Sequence, residues 1–194
     1  MKLGLIFFVN STLLGVGLAM DAFSVSMANG LNEPFMKKRK MAAVAGVFAL
    51  FQALMPVIGW VCIHTIVNYF KAFEKLIPWI ALILLCYIGG KMLYDGIKNK
   101  EGDTEPVRVG IISLLAQGIA TSIDALSVGF TIADYDFSSA LLASLIIAAV
   151  TFIICSVGLI VGKKFGTKLS NKAQLLGGAI LIAIGIEIFI TGIF

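Results

Sequence analysis

The polar positions of this chain do not recur within each helical turn. They cluster between long apolar runs. A helix needs roughly 20 apolar residues to cross a bilayer, and six runs meet that length. Their periodicity and flanks predict helices at about 5–28, 42–68, 78–97, 109–132, 139–162 and 174–193. Short stretches separate them, such as Asn32-Glu33-Pro34 before Lys37-Lys38-Arg39-Lys40, Lys71 to Lys75, and Asp134-Tyr135-Asp136. None of these loops holds a site by itself. The first run ends without a small-x-small cleavage pattern and carries Asp21, so it reads as a mature helix and not as a signal peptide.

Composition narrows the class further. Of 194 residues, 59% are hydrophobic and 13% are charged, about half the charged share of a soluble domain. Such a chain is neither disordered, collagenous, a coiled coil nor a disulfide scaffold. The expected fold class is an all-α integral membrane protein with six transmembrane helices. Cys62, Cys86 and Cys155 lie in apolar runs without a CxxC spacing and read as small buried residues.

The net charge of +4 does not call for nucleic acid, because its distribution has another cause. Alternate loops hold Lys37, Lys38, Arg39 and Lys40; Lys98, Lys100 and Arg108; and Lys163, Lys164, Lys168 and Lys172. The opposite side holds Lys2, Lys71 and Lys75. Basic loops stay in the cytoplasm, so both termini are expected outside.

The halves of the chain resemble each other. Asp21-Ala22-Phe23-Ser24-Val25 matches Asp124-Ala125-Leu126-Ser127-Val128 at an offset of 103. Ile88-Gly89 matches Ile184-Gly185 at 96, and Val57-Ile58-Gly59 aligns more weakly with Ser156-Val157-Gly158 at 99. The predicted units are residues 1–98 and 109–194, joined by a cytoplasmic linker at 99–108. Each unit has three spans, and an odd number inverts the second copy. Inverted repeats are a transporter architecture with sites near the midplane.

Acidic residues inside a span are costly and mark function. Asp21 and Asp124 are the strongest candidates. On a continuous helix Gln117, Thr121, Asp124 and Ser127 share one face, as do Gly17, Asp21 and Ser24. These stripes carry oxygen and no basic residue, which suits a hard divalent cation such as Mg, Ca or Mn. Gln52 is a further intramembrane amide. Met20, adjacent to Asp21, points about 100° away and reads as packing. Because the two spans run in opposite directions, the carboxylates fall roughly 10 Å apart in depth at about 1.5 Å per residue. One shared ion then requires shifted boundaries or a broken helix; otherwise the acids are two stations on a path. Lys91 and Glu187 occupy equivalent positions, either as an ion pair or as separate snorkelling side chains. His64 reads as an interfacial side chain. Glycines at Gly89, Gly178 and Gly185 read as close-packing seams.

At this point the sequence resembles the MntP family of manganese efflux pumps, in the LysE superfamily. The likeness rests on Met20-Asp21-Ala22-Phe23-Ser24-Val25-Ser26, Met55-Pro56-Val57-Ile58-Gly59-Trp60, Gly89-Gly90-Lys91-Met92, Ile119-Ala120-Thr121-Ser122-Ile123-Asp124-Ala125 and Leu176-Gly177-Gly178, in order along nearly the whole chain. The resemblance implies a bacterial inner-membrane exporter of Mn2+ with Asp21 and Asp124 as its essential acids. The metal and the outward direction come from the resemblance alone. The expected site adds Ser24, Thr121, Ser127, Gln52 and Gln117 to the two acids, with Mn2+ as transported substrate and no permanently bound cofactor. The expected partners are Mn2+, protons and the lipid bilayer, with no nucleic acid and no obligatory protein. Two buried carboxylates emptied of a cation are costly, so return with protons is the expected drive; no nucleotide-binding motif is present. An exporter of another solute on the same fold is the alternative within transport. An intramembrane aspartyl protease would be the enzymatic one, but its Gly-x-Gly-Asp signature is absent and no enzyme activity is expected.

Overall fold

Among the described residues the six apolar runs give seven helices, because one run is broken. The computed structural model describes residues 4–65, 77–98, 110–169 and 173–193. In it α1 is Leu5–Asn32, α2 Lys38–Thr65, α3 Ile77–Lys98, α4 Ile111–Ala120, α5 Ile123–Thr131, α6 Phe137–Leu169 and α7 Ala173–Ile193. The segments 66–76, 99–109 and 170–172 lie outside the described residues, and with them the expected loop at Lys71–Lys75 and the linker at 99–108.

Among the described residues three helices are long and apolar enough to cross a membrane: Leu5–Asn32, Lys38–Cys62 and Phe137–Gly166. A fourth span arises if Ile111–Ala120 and Ile123–Gly129, bent by 43°, count together. The surface matches this reading. Ile112 is 86% exposed and Leu5 81%, while Gln52, Ser122, Ser144 and Thr151 are 0% exposed. A soluble monomer rarely spreads apolar side chains over its outside in this way; a helix facing lipid must.

Three ends differ from expectation by four residues or more, and the first is the start of α2 at Lys38, four residues before the predicted 42. α1 runs on to Asn32, four residues beyond the predicted end. The Glu33 amide still donates to the Asn29 carbonyl (3.0 Å), and Pro34 then stops the helix. α6 continues seven residues past 162, through Lys163 and Lys164. Lys163 reaches the Met36 carbonyl (2.9 Å), and Lys40 pairs with the buried Glu33 (2.6 Å). Both lysines therefore fasten the turn between α1 and α2. At the other end of α6, the Ser139 hydroxyl donates to Asp136 (2.7 Å) and its amide donates at 3.4 Å. The hydroxyl bond holds this exposed carboxyl below its ordinary value. Its contribution is present above the unfolded value and disappears as pH falls through the depressed one.

α1 packs most extensively on α6, and α3 on α7; α2 lies on α6 and α5, and α7 also reaches α1. Glycine permits the closest crossings. A Cβ added at Gly178 would lie 2.6 Å from the Gly89 carbonyl oxygen, and one at Gly89 would lie 2.7 Å from that of Gly178. A Cβ added at Gly129 would lie 2.5 Å from Pro56 O and 2.7 Å from Gly59 Cα, one at Gly30 2.6 Å from Leu159 O, and one at Gly166 2.8 Å from Leu31 O. With lipid outside, such backbone approach is a main source of helix association.

Replacement of Gly178 by valine should lower stability by about 1–3 kcal/mol through overpacking. Gly46→Ala, where nothing stands within 4 Å, should be nearly neutral. Thermal unfolding in detergent checks both; equal midpoints for the two variants would remove the α3–α7 seam from the account.

Candidate functional site

The break between α4 and α5 falls at Thr121-Ser122, with no Gly or Pro between Ile119 and Val128. Lipid offers no hydrogen-bond partner to the backbone groups freed there. The two hydroxyls turn back instead. Thr121 Oγ1 donates to Gln117 O (2.9 Å), and Ser122 Oγ donates to Gly118 O (2.7 Å). The Thr121 carbonyl accepts from Gln52 Nε2 (3.1 Å), which also donates to Leu18 O on α1 (3.1 Å). One buried amide on α2 thus ties α1 to the break. Its Oε1 has no hydrogen-bond partner among the described residues.

Asp124 sits in the first turn of α5, where the positive end of the helix dipole favours an anion. The Ala125 amide donates to its Oδ1 (2.9 Å). The carboxylate opens on a cavity of about 550 Å³ lined by Asn10, Leu13, Leu14, Gly17 and Leu18 of α1, with Val128, Thr131, Ile132 and Tyr135 opposite. This cavity lies where α1 begins and α5 ends, away from the basic turn Lys37–Lys40.

Asp21 is half-buried on α1. It lies within electrostatic reach of Asp124 and of Glu187 on α7. The charge of Glu187 therefore acts on α1; Lys91 is exposed on α3. Both acids follow by three residues a carbonyl that Gln52 holds: Leu18 before Asp21, Thr121 before Asp124.

The remaining candidates divide. Gln117 and Thr121 are 1% exposed, whereas Ser127 is exposed and Ser24 half-buried. The single polar face expected of a continuous helix is split by the 43° bend. Gln117 is already engaged: its Oε1 accepts from Asn29 Nδ2 (2.7 Å), and its Nε2 reaches Ser113 (3.3 Å). Met20 is 50% exposed, on the surface and not packed in the core as expected. His64 stacks on Trp60 at 4.0 Å and donates to its carbonyl (2.8 Å), as an interfacial side chain would. Cys155 is buried and Cys62 and Cys86 are half-buried, all three free. No cluster of three or more His, Cys, Asp or Glu occurs among the described residues.

A family model described as "Putative manganese efflux pump" matches residues 35–189. The chain belongs to the MntP family. A relative from Rippkaea orientalis, called "Putative manganese efflux pump MntP", is 39% identical, covering 95% of this chain and 97% of its own length. One of the same name from Clostridium botulinum strain Loch Maree is 42% identical over 94% of each. Another from Clostridium perfringens is 40% identical over 93% of this chain and 94% of its own. No solved structure shows a significant match. MntP is a family of multi-pass membrane transporters and not of enzymes.

Sequence reasoning passed over two residues that the structure makes important. Asn29 pairs with Gln117; its signal was a second amide near the end of an apolar run. Thr151, 0% exposed with its hydroxyl unpartnered among the described residues, stands 99 positions after Gln52, at the repeat offset.

Gln52→Leu should cost about 1–3 kcal/mol, because it strands the Thr121 carbonyl. Thermal unfolding against Leu54→Ala, an exposed position of α2, measures this. A Gln52→Leu midpoint no lower than that of the control would show that the break does not depend on the amide.

Proposed function

We propose that the chain exports Mn2+ from the cytoplasm across the plasma membrane by proton antiport, on six spans arranged as two inverted three-helix repeats. The observation that carries this reading is the Gln52 bridge. Leu18 and Thr121 are equivalent at the offset of 103, so one amide grips the same carbonyl in both halves, each three residues before an intramembrane acid. Packing supports the repeat further. Gly15 meets Val150 and Gly118 meets Phe51; the offsets of 103 and 99 interchange these two contacts. They also interchange Gly158 against Ser26 with Gly59 against Gly129.

In this reading Asp21 and Asp124 take the ion in turn or together. Ser24, Thr121, Ser127 and the free Oε1 of Gln52 supply further oxygen, and Gln117 contributes once released from Asn29. An all-oxygen set suits a hard ion such as Mn2+. Two carboxylates in electrostatic reach of each other attract a divalent cation strongly and repel each other when it leaves. Protons arriving from outside neutralise them and allow the return step. The basic loops face the cytoplasm and both termini lie outside. The relatives' name and the family description point to manganese.

The test is Mn2+ uptake into inside-out vesicles under an imposed pH gradient. Wild type should accumulate the ion, and Asp21→Asn and Asp124→Asn should each lower the initial rate by tenfold or more, on the order of 1.4 kcal/mol or above. Unchanged transport in either variant would return that acid to a structural role. Rates indifferent to the gradient would remove proton coupling. No Mn2+ movement with folded protein would end the manganese reading.

A further inference from the structure

The geometry points to the Asn29–Gln117 hydrogen bond as the cytoplasmic gate of the transport path, closed here while the opposite side is open. This rests on the inverted-repeat reading above.

A cavity opens beside Asp124, on the side away from the basic turn. Its walls include Leu14 on α1 and Ile132 at the end of α5. Advancing Leu14 by the repeat offset gives Gln117, and taking Ile132 back by it gives Asn29. The pair that flanks the cavity in one half is therefore the pair joined by a 2.7 Å hydrogen bond in the other. The same exchange converts exposed Thr131 into Ala28, which is 0% exposed, and cavity-lining Asp124 into half-buried Asp21. The side away from the basic turn thus carries a cavity beside Ile132, which is 2% exposed in the apolar cluster that Leu14 packs against, and the side beside that turn carries a hydrogen-bonded seam.

Two further observations agree. Glycine crossings zip α1 to α6 at that closed end: Gly30 on Leu159 and Lys163, and Gly166 on Leu31 and Pro34. The halves also differ in backbone, since α1 is continuous where its counterpart is broken at Thr121-Ser122. Two copies of one unit in two conformations are what alternating access requires at any instant. The opposite state would have the conformations exchanged, with Asn29 and Gln117 parted to line a cytoplasmic cavity and to present Asp21. Gln117 could then offer its amide oxygen to the ion, so the same side chain acts as latch and as ligand in alternation.

The bond is a small device. Interhelical side-chain hydrogen bonds in membranes shift a two-state ratio by about threefold on average and about twentyfold at most. That is enough to bias a gate without freezing it.

The experiment reads accessibility, which needs no substrate. With Cys62, Cys86 and Cys155 replaced by alanine, Thr131→Cys or Ala28→Cys is introduced singly and labelled with a membrane-impermeant maleimide from either face. Thr131→Cys should label from the face opposite the basic turn. Ala28→Cys should label slowly, from the basic face only. Asn29→Ala, or Gln117→Leu where that variant fails to accumulate, should speed Ala28→Cys labelling from the basic face by about three- to twentyfold, without raising that of Thr131→Cys. The exchange Asn29→Gln with Gln117→Asn, which keeps both amides, should bring it back toward the parent rate. An unchanged Ala28→Cys rate overturns the gate, as does a rise at both reporters, which marks general loosening. Manganese transport with unmoved accessibility sinks the gate and leaves the proposed function standing. The accessibility shift without manganese transport does the reverse.

Discussion

A backbone carbonyl inside a bilayer must find its hydrogen bond within the protein, and the arrangement around Thr121 follows from that requirement. An interrupted helix has more such groups to satisfy than a continuous one. Here the Thr121 and Ser122 hydroxyls serve the last carbonyls of α4, and the Gln52 amide serves the carbonyl at the break itself. Once those groups are satisfied, α5 begins as a fresh helix, and Asp124 lies at its positive end. The position of the acid is thus a consequence of how the break is mended. Gln52 also holds α1, so the same amide ties the helix that carries Asp21 to the break before the helix that carries Asp124.

The site is polar inside an apolar shell, the reverse of a soluble core. Gln52, Gln117, Asn29 and Thr121 are all at most 1% exposed, each hydrogen-bonded across or along helices. Such a lining would suit the hard cation proposed above, because it presents oxygen at many points without a fixed basic charge. Glycine does the complementary work. At Gly89 and Gly178, and at Gly59 and Gly129, the helices touch by backbone. A seam free of interlocking side chains resists separation while leaving small sliding steps open.

The sequence made most ends of the described helices legible to within a few residues, because bilayer thickness sets the length of an apolar run; three of these helices, or four with the bent pair, are long and apolar enough to cross. It marked Asp21 and Asp124 because charge is so rare inside them. α6 outran its prediction because Lys163 and Lys164 continue the helix beyond the apolar part, where Lys163 finds the Met36 carbonyl. The break was not legible. Pro56, the residue that usually interrupts a helix, lies inside unbroken α2, while Thr121-Ser122 interrupts one with residues that helices ordinarily accept. Whether a Thr-Ser pair sits in a helix or ends it depends on whether another helix supplies a donor, here Gln52, 69 positions away. The Asn29–Gln117 pair was hidden for the same reason, being a contact across 88 positions.

That dependence on distant partners bears on why the two halves differ. Repeated sequence fixes equivalent positions but not equivalent conformations, because each half packs against different neighbours. α1 keeps its ladder intact although Gln52 touches Leu18. The second half gives its ladder up at the equivalent point, and its hydroxyls at Thr121 and Ser122 absorb the loss. The first half has Leu18 and Ala19 at those positions, with no hydroxyl to turn back on the helix. Breaking α1 would therefore leave carbonyls that its own side chains cannot satisfy. In the alternation proposed above, an exchange of conformations would then move the α1 half by tilting an intact helix, and the α4–α5 half by changing the angle at its break.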